Sequence, residues 1–172
     1  GVGATYAYFK QQVENTSNVN LTTETTSQTN VEFNAGESIA LVNAEPGDSI
    51  ENTFNIELTS SNKTADIVTY TISWIIETNN FVHEPLHASD PQLVYSLYYS
   101  SDNATWNLLK SEDCTTFTDT IVLASDQKLT APINGSNKVY WKMVLEYKSY
   151  DYNQATNMSK QLIGSLKVSG LD

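Results

Sequence analysis

The run Ile50-Glu51-Asn52-Thr53-Phe54-Asn55-Ile56-Glu57-Leu58 decides the fold class. Ile50, Phe54, Ile56 and Leu58 point one way while Glu51, Thr53, Asn55 and Glu57 point the other. That two-residue period belongs to a strand with one buried and one wet face. The pattern recurs. Val68, Tyr70, Ile72, Trp74 and Ile76 share a face, as do Leu93, Tyr95, Leu97 and Tyr99, and again Val139, Trp141, Met143, Leu145 and Tyr147. Leu162, Gly164, Leu166 and Val168 close the series, and weaker strands fall at 30–33, 38–42, 106–109 and 115–124. Turn chemistry separates these runs: Pro46-Gly47-Asp48, Ser101-Asp102-Asn103 before a hairpin partner, and Asn134-Gly135 ahead of the 139–148 strand. Helical periodicity is nearly absent, with at most a short turn around 84–94. About eight half-buried strands at this spacing predict an all-β chain, a single antiparallel β-sandwich of jelly-roll type. The length, 172 residues, suits one domain.

Charge narrows the function. Nine cations, all Lys, face 20 acids, and the formal net charge is −11. Nucleic acid requires a cationic surface, usually with Arg forks, and an anionic membrane repels this chain. No apolar run reaches bilayer-spanning length. The lone Cys114 precludes an intramolecular disulfide. Gly1 opens directly in an apolar stretch without an initiator Met, the expectation for a mature chain after signal-peptide removal, so a secreted, extracellular or cell-surface protein is expected. Six Asn-x-Ser/Thr sequons, at Asn15, Asn20, Asn62, Asn103, Asn134 and Asn157, are candidates for attached glycans.

Two regions stand apart from the sandwich pattern. Residues 14–29 are almost wholly polar, the composition of a linker or of a solvated strand. Ahead of them, Val2, Ala4, Tyr6 and Tyr8 form one strand face, and Phe9 joins the other beside small residues. Such a strand favours burial, yet a tether of about 16 residues would let it reach roughly 50 Å from the body. It either folds back as the first strand of its own sandwich or completes a neighbour's sheet, and a head-to-tail contact of the second kind builds a filament. The expected division is therefore residues 1–29 as donor strand and linker, and 30–172 as the sandwich.

Several segments, in order, resemble the TasA/camelysin family of secreted bacterial matrix-fibre proteins and its archaeal bundling-pilus relatives. Gly3-Ala4-Thr5-Tyr6-Ala7-Tyr8-Phe9 looks like the start of that family's mature chain. Phe33-Asn34-Ala35-Gly36-Glu37-Ser38-Ile39-Ala40-Leu41 is similar to its Phe-x-x-Gly strand, and Pro46-Gly47-Asp48 to its turn before a strand. The closing strands around Val139–Tyr147 and Leu162–Val168 also resemble the family's; the middle, shorter and rich in Tyr and Trp, departs from it. The resemblance implies a jelly roll and a non-enzymatic filament subunit of a pilus or biofilm matrix. Its partner would be a second copy, engaged by N-terminal donor-strand complementation through Val2, Ala4, Tyr6, Tyr8 and Phe9, without cofactor.

Other chemistry is weaker. His83-Glu84-Pro85-Leu86-His87 fits the zinc-protease pattern His-Glu-x-x-His, which places two imidazoles on one helix face. Pro85 breaks that helix, and the chain has no third His. Glu112-Asp113 would raise the Cys114 thiol pKa and suppress nucleophilicity. Asp48, Asp102 and Asp151 lack the spacing of a calcium loop. The alternative function is a monomeric carbohydrate-binding sandwich using Tyr98, Tyr99 and Trp106.

Overall fold

The computed structural model describes residues 18–22, 28–33, 39–60 and 66–170. Ten strands follow in chain order: β1 Asn18–Thr22, β2 Gln28–Phe33, β3 Ile39–Leu41, β4 Ser49–Ser60, β5 Asp66–Asn79, β6 Leu93–Ser100, β7 Asn107–Asp113, β8 Asp119–Ala131, β9 Gly135–Tyr147 and β10 Leu162–Gly170. They form two antiparallel sheets, ordered β1-β2-β4-β9-β6-β7 and β3-β10-β5-β8. From β3 onward the chain changes sheet at almost every connection, so β4-β9-β6-β7 faces β3-β10-β5-β8. These are the two interleaved Greek keys of a jelly roll, with the β1–β2 hairpin added beside β4. Among the described residues no helix is long and apolar enough to cross a membrane.

The alternating faces read from the sequence meet between the sheets. Phe54, Ile56 and Leu58 of β4, Leu93, Tyr95 and Leu97 of β6, and Trp141, Met143, Leu145 and Tyr147 of β9 pack against Val68, Tyr70, Ile72 and Trp74 of β5 and Leu162, Leu166 and Val168 of β10. Each large apolar side chain so buried is worth about 1.5–3 kcal/mol. The aromatic residues also lock the layers together. Trp141 Nε1 donates across the core to Tyr70 Oη at 3.1 Å, with the rings edge to face. Gly164 sits at a bulge where β10 presses on β5; a Cβ there would lie 2.6 Å from the Ile75 carbonyl oxygen, so no larger residue fits. Asn52 completes the inward row of β4, fully buried, and neither atom of its amide is hydrogen-bonded.

Two boundaries differ from the sequence reading. Part of the 14–29 stretch is not linker: Asn18–Thr22 and Gln28–Phe33 pair as an antiparallel hairpin, and β2 pairs with β4 from Phe54 to Thr59. Val19 and Leu21 already alternate with polar neighbours, but Asn and Thr mask that period by composition. The described part of the sandwich begins at residue 18, and four residues, 14–17, separate it from the 1–13 segment, a span of at most about 14 Å. The strand expected at 115–124 lies at Asp119–Ala131, because Cys114–Phe117 closes a turn (Phe117 N–H to Cys114 O, 3.1 Å) and β8 continues through a bulge near Asp126. Asn134-Gly135 does make a tight turn, but it carries the chain from one sheet to the other.

Pro46-Gly47-Asp48 is the turn expected. Asp48 N–H donates to Glu45 O at 3.0 Å, Gly47 has φ +97°, and the Asp48 carboxylate accepts from Glu45 N–H at 2.8 Å. Pro at the first and Gly at the second central position are the chemistry of that turn type.

Candidate functional site

Each sheet ends in a strand that no described strand covers, and two of these ends lie side by side. β7 pairs with β6 alone and β8 with β5 alone. Between them runs a groove of about 340 Å³ lined by Leu109, Lys110, Val122, Leu123, Ala124 and Gln127. Its rims are apolar: Leu109 and Val122 are 42% and 53% exposed. Free strand edges with exposed apolar side chains are templates for a further strand, and natural sheets blunt them with charge. Here both edge strands are bulged, and Lys110 sets a charge between them. Lys110 stands opposite the inward-facing Leu97, and its Nζ crosses the groove to donate to the Leu123 carbonyl at 3.3 Å. Glu112 Oε1 steadies the ammonium at 3.5 Å, and Glu112 Oε2 accepts from the Tyr95 hydroxyl at 2.9 Å. Burial, reinforced by Glu112, pushes the Tyr95 phenol far above its ordinary pKa, so that hydroxyl remains a donor.

Val2, Ala4, Tyr6, Tyr8 and Phe9, the expected donor residues, lie outside the described residues, as do Asn15 and Asn62. Asn20 falls in the middle of β1. Asn103 and Asn134 are exposed in turns, at φ 58° and 47°. Asn157 is the exception. It is fully buried, its Oδ1 accepts from Val82 N–H at 2.9 Å, and its Nδ2 donates to Val82 O at 2.6 Å. A side chain spent in this way presents no amide for a glycan in the folded protein, which removes that sequon from the candidates.

The His83–His87 segment is two successive turns rather than a helix. His87 N–H donates to Glu84 O at 2.9 Å with Pro85 at the first central position, and Asp90 N–H donates to His87 O at 3.0 Å. The two imidazoles part company. His83 Nε2 meets Asp113 Oδ2 at 2.9 Å, while His87 stacks flat on Tyr152 with centroids 3.5 Å apart. Among the described residues no three His, Cys, Asp or Glu side chains gather where a metal ion could bind. Cys114 is fully buried, and desolvation together with Asp113 drives its pKa far up, so it is a core residue. Asp48 and Asp102 spend their carboxylates on their own turns; backbone N–H donation from Thr105 and Ala104 holds Asp102 down at about 2.

The aromatic trio divides. Tyr98 and Trp106 lie on the outer face of the six-stranded sheet, flanking the Lys142 ammonium at 5.0 and 4.4 Å from their centroids. Tyr99 points the other way, its ring 6.0 Å from buried Trp141, since neighbours along a strand alternate faces. Tyr140, with Lys138 5.6 Å from its ring centroid, stands on the outer face instead. Period 2 was the available signal against pairing Tyr98 with Tyr99.

The seam was not legible as a site, because an edge exists only once the strand order is known. No protein-family model and no curated protein matches the chain. Solved structures of similar sandwich form include TmCBM61 in complex with beta-1,4-galactotriose, 8% identical, with 83% of this chain and 88% of that one covered and a TM-score of 0.31. Others are the C-terminal domain of a chitobiase from Bacteroides fragilis (13%, 88% and 97%, 0.32) and a family 3a carbohydrate-binding module from the cipA scaffolding of Clostridium thermocellum (13%, 83% and 95%, 0.30). At such identities and TM-scores these likenesses bear on neither ligand nor assembly.

Proposed function

We propose that the chain is a non-enzymatic structural subunit of an extracellular filament, polymerising head to tail as residues 1–13 of one copy enter the β7–β8 seam of the next. The observation that carries this reading is the seam itself: two edges that no described strand covers, around an apolar groove, in a chain whose first nine residues have the sequence pattern of an apolar strand. A strand laid there would gain ladder hydrogen bonds from the unpaired edges and bury aromatic anchors beside Leu109 and Val122. The short 14–17 connection favours exchange between abutting copies over a long reach. Electron microscopy of the full chain beside a 1–9 deletion and Val122→Asp tests it. Filaments from the full chain and none from either variant are expected, both variants remaining folded and sheet-rich. Filaments from the deletion would overturn the proposal.

A second reading has one observation in its favour, the outer-face cluster of Tyr98, Trp106 and Tyr140 around Lys138 and Lys142. Aromatic faces on a flat sheet suit stacking against a glycan. That reading expects saturable quenching of tryptophan emission by a polysaccharide, lost in Trp106→Ala, and no assembly with rising concentration.

A further inference from the structure

At one end of the sandwich, away from the seam and from the outer-face aromatics, the 84–87 turn and the short 3-10 turn Ala155–Asn157 enclose a pocket of about 530 Å³. Its walls are Glu84, Pro85, Leu86 and His87 on one side and Asn153 and Thr156 on the other. Glu84 is 5% exposed, yet its carboxylate has a single hydrogen-bond partner, Asn157 Nδ2, at a long 3.5 Å. A carboxylate offers about four acceptor positions, and Glu84 lines the pocket with most of them unfilled. Asn153 spends its Oδ1 on Ala155 N–H at 2.7 Å, which keeps its two N–H donors, and the Thr156 hydroxyl can both give and accept. Pro85 and Leu86 add an apolar edge, and Leu86 is 90% exposed at the turn's tip, where water alone would disfavour it.

The pocket is rigid. Asn157 clamps Val82 by two hydrogen bonds, and His87, Tyr152 and Tyr150 stack in one pile with planes 2° and 6° apart. Tyr150 and Tyr152 are pinned at their hydroxyls by Pro91 O at 2.7 Å and Asp90 at 3.0 Å. Pre-organisation of this kind lowers the cost of binding. No Lys lines the pocket, so no ammonium is there to pair with a phosphate or a carboxylate, and the Glu84 carboxyl disfavours both; its size exceeds that of a bare ion.

We propose that this pocket binds a sugar residue, neutral or amino-bearing, with hydroxyl or ammonium donors on Glu84, ring oxygens served by Asn153 and Thr156, and the apolar sugar face against Pro85 and Leu86. This site is independent of the filament reading and of the outer-face aromatics. The test is a titration of the full chain with glucose, glucosamine and glucuronic acid, followed by amide NMR shifts. Saturable shifts at Asn153, Thr156 and Leu86 are expected with glucosamine and more weakly with glucose, and none with glucuronic acid. Thr156→Ala and Leu86→Ala, at exposed positions that leave the fold intact, should each weaken binding by about tenfold. Glu84→Gln should abolish the preference for glucosamine over glucose. Absence of saturable shifts with all three sugars, glucuronic acid binding as well as glucosamine, or affinity unchanged in both exposed variants would overturn the proposal.

Discussion

The loop end and the β7–β8 seam of this sandwich solve opposite problems. At the loop end, irregular backbone is matched by side chains one contact at a time. Asn157 serves both backbone groups of Val82, Gln154 Nε2 donates to Lys148 O at 2.7 Å and to Gln92 Oε1 at 3.0 Å, and Asn79 Nδ2 donates to the Thr115 and Phe117 carbonyls. Thr115 Oγ1 accepts from both Gln92 and Leu93 N–H. The seam has two edge strands, each interrupted by a bulge, with exposed Leu and Val and one lysine laid across it. Loops without strand partners hold still when each polar group has its own side-chain partner. Edges that no strand covers keep backbone groups that a further strand can pair with.

That contrast sets the expected effects of mutation. The largest falls at the loop end: Asn157→Ala strands Val82 N–H and O together and should cost about 2–4 kcal/mol of stability by urea denaturation. A seam change of similar size, Val122→Thr, should stay within about 0.5 kcal/mol, since the residue is half exposed. Equal losses at both places would break the comparison. Next comes Lys110→Leu, which removes the inward charge from β7. It should shorten the lag of light-scattering assembly curves while leaving thermal unfolding nearly unchanged; a longer lag would mean that Lys110 supports the seam rather than guards it.

The smallest expected effect is electrostatic. Asp102 in the β6–β7 turn is held down to about 2, chiefly by the Thr105 and Ala104 N–H donors and the Ser100 hydroxyl, against an ordinary 3.8. A lowered carboxylate stabilises the fold above its unfolded pKa, and that contribution disappears as pH falls from about 3.8 through about 2. Protection of the Ala104 and Thr105 amides, taken relative to their intrinsic exchange rates, should therefore fall over that window in the wild type. In Asp102→Ala it should already be low at neutral pH and show no such step.

Much of the fold was legible because burial writes a two-residue period. Ile56, Trp74, Leu97 and Trp141 were each placed on the inward face by their neighbours alone, and Pro46-Gly47 named its own turn. The β1–β2 hairpin was not, because Asn and Thr outnumber Val19 and Leu21 there and give the stretch the composition of a linker. Pro85 argued correctly against a zinc helix, yet nothing local revealed that His83 and His87 would face different partners thirty and more residues away. Asn157 matches a sequon by three letters, and its burial depends on Val82, which sequence spacing does not bring near. The seam is the extreme case: Leu109 and Val122 meet through strand order alone.

Donation into the seam can be tested by disulfide trapping. Cysteines placed singly from Val2 to Phe9 would be paired with Val122→Cys; the native Cys114 is buried and does not compete. A ladder of covalent oligomers on non-reducing gels, collapsing to monomer on reduction, is the predicted result. A cross-link confined to single chains, or none at any of the eight positions, would contradict strand exchange between copies.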